Sequence, residues 1–305
     1  MYYEENVAME CYKRVKNVIE NINGYIYEII FINDGSKDST LEILENIAAN
    51  NKNVKVLSFS RNFGHQAAVT AGIKYVTGDA IVIMDADLQD PPELIPEMLK
   101  LWENGNEVIY GKRKKRKGES AFKLLTAKMF YKTLNALSDV EIPKDTGDFR
   151  LVDKSVIDVI NNMPEHNKFL RGLFSWVGFN QKPYEYERQE RIAGKTKYPL
   201  RKMLKLASDG IISFSTKPLK IVGGLGIFAI IFSIVIFIYS ILSFIFKWNG
   251  LTAGWTSIMV VTTFFSGVIL ISLWMIGEYM ARIYDESKNR PQYIIKKMIN
   301  IDEIK

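Results

Sequence analysis

The sequence predicts an α/β domain followed by two membrane-spanning helices. Residues 1–198 alternate between strand-like and helical patterns, which is typical of a parallel sheet covered by helices. Residues 221–246 and 248–277 are two runs without a charged residue, although charged residues make up 24% of the chain. A membrane span needs about 20 consecutive apolar residues, so both runs are long enough.

Within residues 1–198, β-rich runs alternate with helical patterns. The expected strands occupy residues 25–32, 54–59, 80–84 and 108–110. The expected helices are marked by a capping box at 39–42, by helical apolar spacing over 69–76, and by prolines at 91–92 with Gly105 as the stop. Ligands of such sheets bind at the carboxyl ends of the strands. Residues 33–36 and 85–87 follow the first and third strands, so we expect the site there.

Composition limits the chemistry of this site. Among 305 residues there are one cysteine and two histidines, which excludes a disulfide scaffold and a cysteine-based metal site. A metal would rest mainly on carboxylates, which suits Mg²⁺ or Mn²⁺. Asp85 and Asp87 follow a buried strand and could converge on such an ion beside diphosphate oxygens. An Asp-x-Asp pair by itself also recurs by chance.

Basic residues cluster after the fourth strand, where residues 112–117 are all Lys or Arg. Such a run is either a solvated face or a site for an anionic partner. Beside two membrane spans, we expect a lipid headgroup or a phosphate acceptor and no nucleic acid, because no nucleic-acid recognition motif accompanies the run. For His65, in a loop after Gly64, we expect a structural hydrogen bond rather than catalysis.

The C-terminal third is organised around the two spans. We expect transmembrane helices over residues 219–246 and 251–277, the alternative being two buried core helices. Residues 199–216 combine helical apolar spacing with basic residues, which predicts an amphipathic juxtamembrane helix on an anionic leaflet or, alternatively, a core-facing helix. Residues 278–305 would form a cytoplasmic tail.

Flanking charges predict the orientation of the spans. Lys217 and Lys220 precede the first span, Lys247 lies between the spans, and Arg282 is the first of several basic residues after the second. Because Lys and Arg accumulate on the cytoplasmic side, we expect a multi-pass protein of the cell (inner) membrane. The catalytic domain and both termini would then be cytoplasmic. The first ten residues do not resemble a signal peptide.

Six segments carry a resemblance to a known family, at residues 2–5, 33–36, 60–65, 85–93, 145–150 and 191–198. The chain resembles the family 2 glycosyltransferases of the GT-A fold, specifically the polyprenyl-phosphate glycosyltransferases. These include dolichol-phosphate mannose synthases and bacterial bactoprenol glucosyltransferases. The resemblance covers nearly the whole chain and is closer to the bacterial branch. It implies a Rossmann-like nucleotide-sugar domain with a mostly parallel sheet.

The resemblance implies roles on the donor side of the site. Glu4 would lie by the nucleotide base or ribose, Asp34 would bind the uracil side, and Asp85 would contact the nucleotide–sugar region. Asp87, together with Gln89, would hold Mg²⁺ or Mn²⁺.

It also implies roles near the phosphates. Arg113 would approach donor or acceptor phosphates, and Arg191 and Lys197 would belong to a mobile loop that closes over phosphate. The acceptor would be a lipid monophosphate with a second pKa near 6, so it is largely dianionic at neutral pH and needs no strong base. Asp148 could orient this acceptor.

The resulting hypothesis is a membrane-anchored, metal-dependent, inverting glycosyltransferase. It would move a hexose, glucose from UDP-glucose, to undecaprenyl phosphate at the cytoplasmic face. The alternatives are another donor, such as GDP-mannose or a UDP-amino sugar, while processive polysaccharide synthesis is disfavoured because the sequence has no Gln-x-x-Arg-Trp segment. Expected partners are the nucleotide sugar, the polyprenyl phosphate, membrane lipids and further copies of the chain, as a tetramer.

The start of the sequence departs from the family pattern. Family members begin with a strand that ends before Tyr-Asn-Glu-Glu-like residues, whereas Met1 stands immediately before that motif. We therefore expect the family's first strand to be missing and its neighbours to be unpaired. The corresponding alternative is an N-terminally truncated, inactive membrane protein. Asn33 is a milder change, from the usual Asp.

Overall fold

The computed structural model describes residues 1–114, 143, 146–165, 168–187, 215–246 and 254–301. The first elements are α1 (Ala8–Glu20), β1 (Ile29–Asn33), α2 (Thr40–Asn50), β2 (Val54–Phe59), α3 (His65–Tyr75) and β3 (Ala80–Ile83). They are followed by a 3₁₀ turn (Pro92–Leu94), α4 (Ile95–Glu103), β4 (Val108–Arg113), β5 (Thr146–Asp153), α5 (Lys154–Asn161), α6 (Leu170–Trp176) and β6 (Gln181–Tyr186). The last are α7 (Lys217–Ile245), α8 (Gly254–Ser287) and β7 (Ile295–Ile299).

The described strands form two mixed sheets, in the orders β1-β2-β7 and β3-β5-β4-β6. β1 pairs in parallel with β2, and β4 with β6. β3 and β4 each lie antiparallel to β5, so they run in the same direction, and β7 lies antiparallel to β2. The predicted α/β class is confirmed. The sequence does not predict the antiparallel strands β5 and β7, and β1 begins at Ile29 rather than at residue 25.

The sheets separate between β1 and β3. In the part of the chain that the structure describes, β1 pairs with β2 and β3 pairs with β5. Met1 lies beside β1, because its ammonium donates to the Ile32 carbonyl and the Asp34 N–H donates to the Met1 carbonyl at 2.9 Å. Met1 and Met84, the residue after β3, also pack into the apolar cluster under β1. Side-chain packing thus joins the two sheets at this end.

Helix α1 also joins the sheets. Ala8, Cys11 and Val15 recur at helical spacing and are buried in the cluster under β1. Val18 and Ile19, one turn later, pack against the cluster under the second sheet. Burying each of the larger side chains contributes about 1.5–3 kcal/mol, so the amphipathic pattern of α1 fixes its place across both sheets.

The register of β5 places the first residues of this strand beside the acidic segment after β3. Ile83, the last residue of β3, is opposite Arg150 on antiparallel β5. Two residues further along each strand, Asp85 and Asp148 therefore lie level with each other beyond the end of β3.

The C-terminal helices contain two apolar segments. Lys217–Ile236, with a mean hydropathy of 2.5, and Phe264–Ser287, with 1.6, are long and apolar enough to cross a membrane, and neither is buried in the protein. This contradicts the alternative of two core helices. Helix α8 continues to Ser287, past the expected end at 277, and the expected tail contains strand β7. Residues 199–214 of the expected juxtamembrane helix lie outside the described residues.

Candidate active site

The loop after β1 is organised by the buried carboxylate of Asp34. Its Oδ1 accepts a hydrogen bond from the Phe63 N–H at 2.7 Å, and its Oδ2 accepts from the Gly64 N–H at 3.0 Å and from the Asn62 amide at 2.8 Å. Three hydrogen bonds fix this carboxylate in one orientation. Asp34, predicted to bind the nucleotide, therefore also joins β1 to the segment before α3.

Two neighbours of Asp34 explain the sequence of this loop. Gly35 has a φ of 68°, and a Cβ there would lie 2.3 Å from a backbone carbon of Arg61, so only glycine fits. Asn33 donates to Ser58 Oγ at 3.0 Å and accepts from the Ser36 N–H at 3.2 Å. The amide at position 33 thus supplies a donor and an acceptor together.

The N-terminal segment lies against the same loop. The Glu4 N–H donates to Thr40 Oγ1 at 3.0 Å. Burial lowers the pKa of the Met1 amino group, and the negative charges of Asp34, Glu4 and Asp85 oppose this. The three carboxylates predicted to bind the nucleotide sugar are therefore all near enough to the Met1 amino group to act on its charge.

The acidic segment after β3 turns sharply at Leu88. Leu88 has a φ of 57°, a left-handed conformation that costs a non-glycine residue about 1–2 kcal/mol. Its side chain is fully buried in the cluster under β1, which contributes about 1.5–3 kcal/mol and offsets the strain. The buried Asp87 carboxylate accepts from the Gln89 N–H at 3.1 Å across the turn. Leu88 thus anchors the two predicted metal ligands to the core.

These residues suit a divalent ion that shares its coordination with a substrate. Among the described residues, no group of three or more His, Cys, Asp and Glu side chains could hold a metal by itself. Mg²⁺ commonly binds through one or two carboxylates together with substrate phosphates and water. The Asp87 carboxylate and the Gln89 amide oxygen are hard donors of this kind, so they fit Mg²⁺ or Mn²⁺.

A charged network lies beside the acidic segment. Arg171 of α6 donates to both oxygens of Asp148, at 2.7 and 2.8 Å. His65, the first residue of α3, places Nε2 at 2.8 Å from Asp148 Oδ2 and Nδ1 at 3.8 Å from Asp85 Oδ1. Four side chains from four different segments, two acidic and two basic, therefore meet in one row.

The network shifts the pKa values of its members. Burial disfavours the ionised form of Asp148, but the charge and hydrogen bonds of Arg171, with those of His65, hold the pKa of Asp148 well below its ordinary value. Burial also disfavours the charged form of His65, yet Asp148 and Asp85 together raise the pKa of His65. Burial raises the pKa of Asp85, and His65 opposes that rise. Asp148 is therefore an ionised carboxylate that already accepts several hydrogen bonds, and it is a poor general base.

Arg113, at the end of β4, is mostly buried. Its Nη2 lies 3.9 Å from Asp90 Oδ1, and the Tyr186 hydroxyl donates to the same carboxylate oxygen. A Cβ on Gly147 would lie 2.6 Å from Arg113 Nη2, so the glycine leaves room for the guanidinium. The buried Nε of Arg113 has no hydrogen-bond partner among the described residues. An anion would satisfy this donor, and the phosphate contact of Arg113 stays a prediction.

The remaining predicted phosphate ligands, Arg191 and Lys197, lie outside the described residues. The sequence does not predict Arg171 in the site, and it predicts only a structural hydrogen bond for His65. Arg171 is 23 positions from Asp148, and no motif links the two. For His65, the sequence feature that could have indicated a role in the site is the family motif at residues 60–65.

This fold, with an acidic segment at the end of a strand and a loop built on Asp34, is that of a GT-A glycosyltransferase. The sequence profile described as "Glycosyl transferase family 2" matches residues 1–160, and the chain belongs to that family.

Relatives match over almost the full length. The chain is 51% identical over 304 residues to the uncharacterized glycosyltransferase YkcC of Bacillus subtilis (strain 168), covering 99% of this chain and 93% of the relative. It is 42% identical over 301 residues to a prophage bactoprenol glucosyl transferase homolog of Escherichia coli (strain K12), covering 98% and 97%. It is 40% identical over 297 residues to the SfII prophage-derived bactoprenol glucosyl transferase of Shigella flexneri, covering 97% and 96%.

Proposed function

We propose that the chain transfers glucose from UDP-glucose to undecaprenyl phosphate at the cytoplasmic face of the cell membrane, with inversion at the sugar. The observation that carries this proposal is the combination, in one chain, of an ordered acidic segment after β3 with two exposed apolar helices. Relatives whose names specify bactoprenol glucosyl transfer, at about 40% identity over nearly the full length, support the acceptor and the sugar.

The donor would bind between the carboxyl ends of β1 and β3. Glu4 and Asp34 would contact the nucleoside, and Asp85 would contact the region between the nucleotide and the sugar. Asp87 and Gln89 would hold Mg²⁺ or Mn²⁺, and the ion would neutralise charge on the departing diphosphate. The orphaned Nε of Arg113 suits a phosphate oxygen near the same place.

The acceptor needs no proton transfer to this chain. A phosphate oxygen of the lipid would form a bond to the anomeric carbon while the bond from that carbon to the β-phosphate oxygen breaks, and UDP departs. A single displacement of this kind inverts the anomeric centre. The site agrees with such a step, because Asp148 is held ionised by Arg171 and His65 rather than placed as a base. Arg191 and Lys197 are proposed to close over the phosphates.

The two apolar helices would keep this site at the surface where the lipid phosphate lies. Lys217 and Lys220 lie in the first turn of α7, and Arg282 lies near the end of α8. If both helices span the membrane, these two helix ends face the same side of it, which supports an orientation with the domain in the cytoplasm. Self-association as a tetramer is part of the proposal, and cross-linking in the membrane would test it.

A transfer assay tests the function directly. The full chain in detergent or vesicles would receive undecaprenyl phosphate, Mg²⁺ or Mn²⁺, and labelled UDP-glucose, GDP-mannose or a UDP-amino sugar, with a chelator control. We expect label in the lipid fraction from UDP-glucose and none with chelator. Label from another donor would replace glucose in the proposal. Folded protein that transfers no label from any donor would refute the function and favour the inactive alternative.

A further inference from the structure

His65 lies between two carboxylates that the donor site brings together. Its Nε2 is 2.8 Å from Asp148 Oδ2, and its Nδ1 is 3.8 Å from Asp85 Oδ1. The imidazole thus links a residue expected at the acceptor side with a residue expected at the donor side.

Asp148 sets the orientation of the His65 imidazole. Asp148 is nearly buried and is gripped by Arg171 at both oxygens, so its carboxylate cannot turn. An ionised carboxylate only accepts hydrogen bonds, so the N–H of His65 Nε2 must donate to Asp148. The Nδ1 edge of the ring is consequently directed to Asp85.

The negative charges around Asp85 give the Nδ1 edge of His65 a function. Asp85 is two positions before Asp87 and lies level with Asp148 beyond the end of β3, so several carboxylates are close together here. A nucleoside diphosphate is also an anion, so these carboxylates would repel it. His65 begins a helix, where the helix dipole disfavours a cation. Burial and the helix N-terminus both disfavour the charged imidazole, so the raised pKa of His65 comes from the two carboxylates.

We propose that His65 is a positioning residue of the donor site: anchored by Asp148, it holds the Asp85 carboxylate with its Nδ1 edge and offsets the negative charge there. Offsetting this charge favours binding of the diphosphate of the nucleotide. The inference rests on the proposed glycosyl transfer. His65 itself touches neither the anomeric carbon nor the acceptor phosphate in this scheme.

Two substitutions separate charge from shape. His65→Gln keeps an amide N–H at the position of Nε2 but removes the charge and Nδ1, whereas His65→Lys keeps a cation. We expect His65→Gln to raise the donor KM roughly tenfold, the scale of losing one contact to a charged group, with kcat and the acceptor KM changed less than threefold. His65→Lys should recover most of the donor affinity. Lys100→Gln, which removes an exposed cation on α4, is the matched control and should leave the donor KM unchanged.

The pH dependence of the donor KM is a second measurement, and a purely structural role of His65 would leave it unchanged. The charged groups facing His65 are Asp148 on β5, Asp85 after β3 and Arg171 on α6. Since the imidazolium is lost as pH rises through its pKa, the donor KM of the parent should increase over that range. The profile of His65→Gln should lack this step. An unchanged donor KM in His65→Gln, or a His65→Lys variant as impaired as His65→Gln, would overturn the proposal.

Binding measurements keep this test apart from the test of function. Calorimetric titration with UDP and Mn²⁺ compares the parent with His65→Gln even if no donor is turned over. In a His166→Gln background His65 is the single histidine, so its ring titration can be followed by NMR. We expect its pKa above the ordinary value of about 6.5. A pKa below that value, or equal UDP affinities, would defeat the inference whatever the transfer assay shows.

Discussion

Arg14 and Glu93 form a two-point ion pair, with Nε to Oε1 at 2.5 Å and Nη2 to Oε2 at 2.8 Å. The pair joins α1 to the 3₁₀ turn that follows the acidic segment. Its hydrogen bonds from Arg14 lower the pKa of Glu93. Position 93 in the acidic segment therefore has a structural explanation and is not a further candidate for the metal.

Removing this pair should cost little stability. Because Glu93 is 48% exposed, we expect a coupling energy of about 0.5–1 kcal/mol between Arg14→Met and Glu93→Gln. The lowered pKa of Glu93 means that this stabilisation is present above the ordinary Glu pKa of about 4.3 and is lost as pH falls through the lowered value. A double-mutant cycle by thermal unfolding at neutral pH measures the coupling. Strictly additive effects would show that the pair contributes nothing.

Asp87→Asn should slow transfer strongly without unfolding the chain. The substitution removes a carboxylate from the proposed metal site, and we expect the rate to fall by roughly 10²–10³-fold, the scale for losing one charge-stabilising group. Glu97→Gln, at an exposed carboxylate on α4, is the matched control. Rates are compared in the transfer assay, and melting temperatures report folding. Parental rates in Asp87→Asn would reject the metal assignment.

Leu88→Ala should weaken metal binding as well as stability. Leu88 and Leu44 are both fully buried in the cluster under β1, and truncating either should cost about 2–5 kcal/mol. Only Leu88 also holds the strained turn between Asp87 and Gln89. Calorimetric titration of Mn²⁺ in the presence of UDP should therefore show weaker binding for Leu88→Ala than for Leu44→Ala. Equal Mn²⁺ affinities would mean that the turn is held by other contacts.

Asp148 should stabilise the fold down to strongly acidic pH. Its lowered pKa means that its contribution is fully present above the ordinary Asp pKa of about 3.9 and disappears as pH falls through the lowered value. Asp148→Asn should remove it at neutral pH, at a cost of about 3–5 kcal/mol, because Arg171 and His65 lose the carboxylate that both contact. Melting temperatures against pH measure this, with the exposed Asp158→Asn as control. Parallel curves for the parent and Asp148→Asn would contradict the network.

Asn300 should hold the end of the chain to the first sheet. Its amide donates to the carbonyls of Ala48 and Val54, both at 2.8 Å, and its φ is 55°. Asn300→Gly keeps the backbone conformation but leaves those carbonyls without this donor, at a cost of about 1–3 kcal/mol. Asn300→Ala should cost more, since it adds strain to the same loss. If both variants melt like the parent, the amide contacts are unimportant.

The sequence predicted the strand ends of the site because local patterns mark them. The apolar run of β3 followed by Asp85, and the β1 run followed by Asp34, needed no knowledge of distant partners. Strand β7 is different, since two of its five residues are lysines and only pairing with β2 makes it a strand.

The charged network of Asp85, His65, Asp148 and Arg171 could not be predicted, because, like strand β7, it depends on contacts between distant parts of the chain. The antiparallel register of β5 places Asp148 level with Asp85. Arg171 lies on α6, 23 positions after Asp148, and its guanidinium donates to the Asp148 carboxylate. Contacts of this kind depend on topology, and periodicity does not encode topology.

Strand β7 connects the last apolar helix to the first sheet through a short segment. Only residues 288–294 separate the end of α8 from β7, so their ends can be no more than about 25–30 Å apart even when fully extended. Tyr293 in this connection stacks on Phe59, the last residue of β2, with ring centroids 5.0 Å apart. Phe59 in turn leads into the segment that grips Asp34. A bilayer around α8 would therefore limit how far the catalytic domain can drift from the lipid surface, and the search for a lipid-borne acceptor becomes a search in two dimensions.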